Sequence, residues 1–167
     1  MVQNMAKSVS RGKKHKFWGM NFDFSKKGFV EISMDNFIQN IVEDLSSHQK
    51  LKSEQTPASA TLFTVDESME SLDQEKARLF HHFTAKLLYL SKRARPDIST
   101  AVAFLTTRVL SPDVEDWKKL SRCISYLKST KELHLKLEAD NLAIPKWWVD
   151  ASYAVHPTCR SHTGGTL

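Results

Sequence analysis

The chain changes its hydrophobic period twice, and those changes divide it. From His15 the pattern is strand-like: Phe17, Gly19, Asn21 and Asp23 alternate with Trp18, Met20, Phe22 and Phe24, a period of two with one apolar face. Ser25-Lys26-Lys27-Gly28 is a turn sequence in which Gly28 is free to take positive φ. Phe29, Val30 and Ile32 then resume a strand, so residues 15–33 are predicted to form one β-hairpin. The polar stretch before it, residues 1–14 with Lys7, Arg11, Lys13 and Lys14, has no apolar period and is expected to be a disordered lead-in.

Helical spacing follows. Ser33 is placed to cap a helix whose stripe is Phe37, Ile38, Ile41, Val42 and Leu45. Residues 46–61 are polar, include Thr56-Pro57 and are expected to be a loop, with an acidic surface excursion over 64–73. A second helix is predicted over about 72–92, lined by Leu79, Phe80, Phe83, Leu87 and Leu90 and widened by Leu88. Arg95-Pro96-Asp97 ends it, since the residue before proline avoids the helical region. Asp97 would cap a third helix over about 98–109 that buries Ile98, Ala101, Val102 and Leu105. Ser111-Pro112-Asp113 would start a fourth, with proline at the first helical position and Trp117, Leu120, Ile124 and Leu127 inside.

After Ser129 the period returns to two. Leu133, Leu135 and Leu137 face one way, residues 140–145 turn, and Trp147 to Ala154 form a strand that Arg160 to Leu167 begin to partner. The expected class is α+β: a β-hairpin, a bundle of about four helices, then the first strands of an incomplete sheet. Strands this apolar need further neighbours, so the end of the chain is expected to fall inside a β domain.

Composition narrows the class of function. Of 167 residues, 41% are hydrophobic and 26% charged, enough to build a core. No run of roughly eighteen apolar residues occurs, so no membrane partner is expected. Cys123 and Cys159 lie far apart, without a CxxC partner, which argues against a disulfide framework or zinc site and for an intracellular setting. The formal net charge of +5 favours polyanionic partners.

Several segments in order resemble the copia-type retrotransposon Pol polyprotein. Phe17-Trp18-Gly19-Met20 with the hairpin and the helix after it is similar to the primer grip and thumb entry of its reverse transcriptase, with Trp18 where leucine is usual. Thr56-Pro57 matches a Thr-Pro pair common in the family. Phe83 to Leu90 followed by Arg95-Pro96-Asp97-Ile98 resembles its "G-x-L-x-Y-L … R-P-D-I" signature, with Lys86 in place of glycine. Trp117-Lys118-Lys119-Leu120 and Tyr126-Leu127-Lys128-Ser129-Thr130 resemble its "W … RYLKGT" helix. Val149 to Tyr153 with Arg160 to Gly165 is similar to the opening of its RNase H. The resemblance implies a boundary near residue 130: the end of a reverse transcriptase over 15–130, and the start of an RNase H over 131–167.

It also implies chemistry. RNase H holds two Mg²⁺ ions between several carboxylates, and Asp150 matches the first of these as a catalytic metal ligand. The others, and the palm aspartates of the polymerase, have no counterpart here. No cofactor is therefore expected for the fragment, and neither polymerase nor RNase H activity. A contact with an RNA/DNA primer-template remains, beside partnership with the rest of the polyprotein. It would be made by Lys14, Lys16, Trp18, Gly19, Lys26 and Lys27 on the hairpin and by Arg93 and Arg95, next to Lys92, at a helix end. Ordinary solvated charge is the commoner meaning of each basic cluster. A non-enzymatic nucleic-acid-binding module derived from a retroelement is the alternative, and an unrelated helical interaction domain fits the order of segments poorly. Adjacent His81-His82 lacks the spacing of a metal pair on a helix. His156 and His162 around Cys159 lack anything to orient a nucleophile and base. Trp147-Trp148 places one ring on each face of a strand.

Overall fold

The computed structural model describes residues 11–139, 143–144, 148–152 and 162–166. The lead-in up to residue 10, most of the 140–145 turn, Trp147, His156 and Cys159 lie outside them. The class is α+β, with a four-stranded antiparallel sheet and four helices among the described residues.

Three strands, not two, occupy the region expected to be one hairpin: β1 (Lys14–Phe17), β2 (Met20–Asp23) and β3 (Phe29–Ser33). The first turn is Trp18-Gly19, with φ of +50° and +79°. Positive φ at both central residues is the requirement of a type I′ hairpin turn, whose twist matches the strands it joins. Phe17 therefore pairs with Met20 and shares its face, although an uninterrupted strand would place the two on opposite faces. The period-two pattern runs through the turn and hides it. Gly28, at φ +97°, closes the second turn as expected.

The sheet order is β1-β2-β3-β4, and β4 (Leu135–Glu138) comes from beyond the helices to pair with β3, Ile32 opposite Leu135 and Val30 opposite Leu137. This strand, placed from sequence with the C-terminal segment, thus completes the N-terminal sheet. Ile32 is buried, and Met20, Phe22, Val30 and Leu135 pack against the helical core. A second, two-stranded sheet joins β5 (Trp148–Ser152) to β6 (His162–Thr166).

The helices follow their apolar stripes: α1 (Asp35–His48), α2 (Gln74–Ser91), α3 (Ser99–Arg108) and α4 (Val114–Ser129). Their buried faces include Ile38, Ile41 and Leu45, then Phe80, Phe83, Leu87 and Leu90, then Val102, Phe104 and Leu105, and finally Leu120, Ile124 and Leu127. Each such side chain withdrawn from water contributes on the order of 1.5–3 kcal/mol, so the common core holds the bundle together. Leu88, expected to widen the stripe of α2, is exposed. The loop after α1 is not wholly polar either, because Leu51 and Leu62 enter the core.

The caps differ from the sequence pattern. Met34, not Ser33, is the N-cap of α1, and the Ser33 hydroxyl donates to the Asp35 carboxylate at 2.9 Å. Asp97 sits within a 3-10 turn over Pro96–Ile98 instead of capping α3. Pro112 precedes the cap of α4, which is Asp113 in a reciprocal capping box with Asp116. Arg108 ties that box to α3, 2.8 Å from Asp116 and 3.1 Å from Asp113. The acidic 64–73 segment is fastened to the same point, since the Leu72 amide donates to the Pro112 carbonyl at 3.0 Å.

Candidate nucleic-acid interface

The hairpin tip presents two aromatic rings to solvent. Phe17 and Trp18 are 60% and 67% exposed and stack at 5.7 Å with an interplanar angle of 30°. A bulky residue in the left-handed region is strained by about 1–3 kcal/mol, and such strain concentrates at functional sites. The tip is anchored from below: the Tyr89 hydroxyl on α2 donates to the Trp18 carbonyl at 2.8 Å. Tyr89 also lies 5.4 Å from the Phe37 ring, which fixes it against α1. On its other side the Arg93 guanidinium sits 3.7 Å from the Tyr89 ring centre and donates to the Tyr89 carbonyl at 3.3 Å. The Trp18-Gly19 turn and Arg93, far apart in sequence, are thereby linked through Tyr89. Phe17 and Tyr89 belong to this constellation, although the sequence places them only within matched segments and not among the nucleic-acid contacts. The turn beside Phe17 is hidden by the period-two pattern and Tyr89 only flanks the α2 stripe, so it is the fold that links both to Trp18.

The hairpin lysines are divided. On the sheet face turned from the helices, Lys14 pairs with Asp23 at 3.2 Å and Lys26 with Glu31 at 3.5 Å. Hydrogen bonds from Ser25 hold the Asp23 carboxyl down at about 2, with Lys14 adding to the effect. These ion pairs are exposed, and such pairs exchange readily for other partners. Lys16 and Lys27 are exposed and have no ion-pair partner among the described residues. The same face carries a cleft of about 410 Å³ bordered by Lys14, Lys16, Asp23, Glu31 and His134. His134 bridges Glu31 at 2.6 Å and Asp35 at 3.1 Å. Its pKa is raised, first by the bond to Glu31.

Arg95 does not belong to this surface. It is 1% exposed, and its guanidinium donates to Asp97 at 2.8 and 2.9 Å and to the Thr130 carbonyl and hydroxyl at 3.0 and 2.7 Å. Tyr126 completes the cluster by donating to Asp97 at 2.8 Å. Burial opposes the charge on Arg95, and the Asp97 carboxylate outweighs it, so the guanidinium is held above its usual value. The expectation of a phosphate contact at Arg95 is corrected to an internal clip, because its donors are committed inside the protein.

Asp150 lies on β5 opposite Gly164 and is exposed. Among the described residues, no group of three His, Cys, Asp or Glu side chains could hold a metal ion. A lone carboxylate does not suit Mg²⁺, which takes several oxygen ligands in near-octahedral geometry. His82 approaches Asp44 at 3.7 Å beside Lys86, a surface ion cluster. No helix among the described residues is long and apolar enough to cross a membrane.

No protein-family model and no solved structure matches the chain. It is similar to a Saccharomyces cerevisiae protein described as "Putative transposon Ty5-1 protein", with 28% identity over 158 residues and 92% of this chain covered. The chain spans about half of that relative's length, 49%. The likeness supports a transposon origin.

Proposed function

We propose that this chain is a thumb and connection segment of a copia-type retrotransposon Pol polyprotein, carrying the end of a reverse transcriptase into the start of an RNase H. Its role is to contact nucleic acid and not to perform chemistry. The observation that carries this reading is the exposed Phe17–Trp18 pair on a strained turn, anchored by Tyr89 beside Arg93. Exposed aromatics stack on bases of any sequence, at about 1–3 kcal/mol per base. Lys16 and Lys27 supply phosphate contacts nearby in the chain, and such contacts position a duplex without reading it. The transposon likeness and the order of the matched segments supply the parentage.

Asp150 is assigned by descent to the first metal-ligand position of RNase H. In the parent enzyme two Mg²⁺ ions supply water activation and leaving-group stabilisation. Among the described residues Asp150 stands without the further carboxylates that such a pair needs.

The test is fluorescence anisotropy with a labelled RNA–DNA hybrid. Binding that weakens steeply with added salt is expected. Trp18→Gly should weaken it roughly 5- to 150-fold, the equivalent of one lost stack. Absence of any binding at about 50 mM salt would sink the reading.

A further inference from the structure

A second cationic feature lies along α4. The segment after α1 alternates exposed Lys50, buried Leu51 and exposed Lys52. Leu51 is anchored in the core while both lysines stay exposed. They border a cleft of about 430 Å³ whose other wall is α4. Along that wall Lys118 and Arg122 stand four residues apart, on one helical face.

The charge balance of the cleft is uneven. Five cationic side chains meet two carboxylates, Glu54 and Glu115. Lys119 is committed, donating to the Thr64 carbonyl at 2.6 Å and lying 4.4 Å from the Phe104 ring centre. Glu115 pairs with Lys118, and Glu54 lies 2.9 Å from Arg122. Lys50 and Lys52 have no carboxylate partner among the described residues. Arg122 is committed as well, bonding Glu54 and donating to the Thr56 hydroxyl at 2.9 Å. Hydroxyls of Ser59, Thr61 and Ser121 line the remainder.

We infer that this cleft is a second phosphate-binding surface, taking the phosphodiester backbone of a nucleic-acid strand through Lys50 and Lys52. It shares no lining residue with the hairpin tip or the sheet-face cleft. Hydroxyl and cationic donors without an exposed aromatic suit backbone contact and not base stacking. The choice of a nucleic acid over other phosphates rests on the proposed function.

The experiment titrates the full chain against a fluorescein-labelled RNA–DNA hybrid at several salt concentrations. The Lys50→Ala/Lys52→Ala double variant should bind several-fold more weakly. The slope of log affinity against log salt should shrink by nearly two, about 0.9 for each phosphate contact. Trp18→Gly should weaken binding at an unchanged slope. A double variant with the wild-type slope overturns the cleft, whereas loss of slope with Trp18→Gly silent supports the cleft and removes the hairpin. Two further outcomes also overturn it. One is selective loss of binding to poly-glutamate, which marks an acidic protein partner. The other is thermal protection by inorganic phosphate that only the double variant lacks, with duplex binding intact, which marks a small-anion site. Both lysines are exposed, and a matching thermal midpoint confirms that the variant folds.

Discussion

The Arg95 guanidinium donates to the Thr130 hydroxyl at 2.7 Å and so joins the end of α2 to the end of α4 across 35 residues. The Arg-Pro-Asp segment and the Tyr-Leu-Lys-Ser-Thr segment, read separately in the sequence, are two halves of one clip. Asp97 accepts from both Arg95 and Tyr126, which fixes the 3-10 turn against α4. Breaking one partner of a buried ion pair costs on the order of 3–5 kcal/mol. Asp97→Leu, which leaves the buried Arg95 charge without its partner, should therefore lower the urea midpoint by that equivalent, and Arg95→Met, which leaves only a solvent-accessible carboxylate, by less. Arg95→Met/Asp97→Leu should cost less than the two single changes summed, since no charge is then stranded.

The clip should also respond to acid. Burial acts to raise the Asp97 pKa, but bonds from Arg95 and Tyr126 outweigh it and hold the carboxyl below its ordinary value of 3.8. A depressed folded pKa contributes stability above the unfolded value that is lost as pH falls through the folded one. Thermal midpoints of the native chain should drop below about pH 4. In Asp97→Asn that part of the drop should be missing.

His134 has the opposite sign. Its pKa is raised above 6.5, chiefly by Glu31. The stability it contributes is present in full below the unfolded value and fades as pH rises through the folded one. The difference in thermal midpoint between the native chain and His134→Gln should be largest near pH 6 and shrink towards pH 9. A difference that stayed constant across that range would show that packing, not charge, accounts for it.

Trp18→Gly should raise the unfolding free energy by up to about 1 kcal/mol even as it weakens nucleic-acid binding, because glycine relieves the left-handed strain. A fall in chemical stability would mean that the stack on Phe17 outweighs the strain. Tyr89→Phe removes one hydrogen bond to the Trp18 carbonyl, a loss of about 0.5–1.5 kcal/mol. Hydrogen exchange should report it as faster exchange of the β1–β2 amides with α2 unaffected.

Sequence alone determined the helices. The stripes of α1, α2, α3 and α4 lie where the apolar spacing put them, because helical period is a local property of neighbouring turns. The positions of the Gly28 turn and of the C-terminal strand pairing were legible for the same reason, since turn and strand chemistry act over a few residues. Tertiary structure decided the rest. Trp18 turns the chain although nothing about tryptophan favours positive φ, so the fold overrode local preference there. β4 left its expected neighbours for β3, a pairing between segments about a hundred residues apart that no periodicity encodes. Arg95 looked like a surface charge in a basic run, and became core because Asp97, Tyr126 and Thr130 converge on it from two helix ends. Burial of a charge is set by the partners that reach it, and these are chosen by long-range packing.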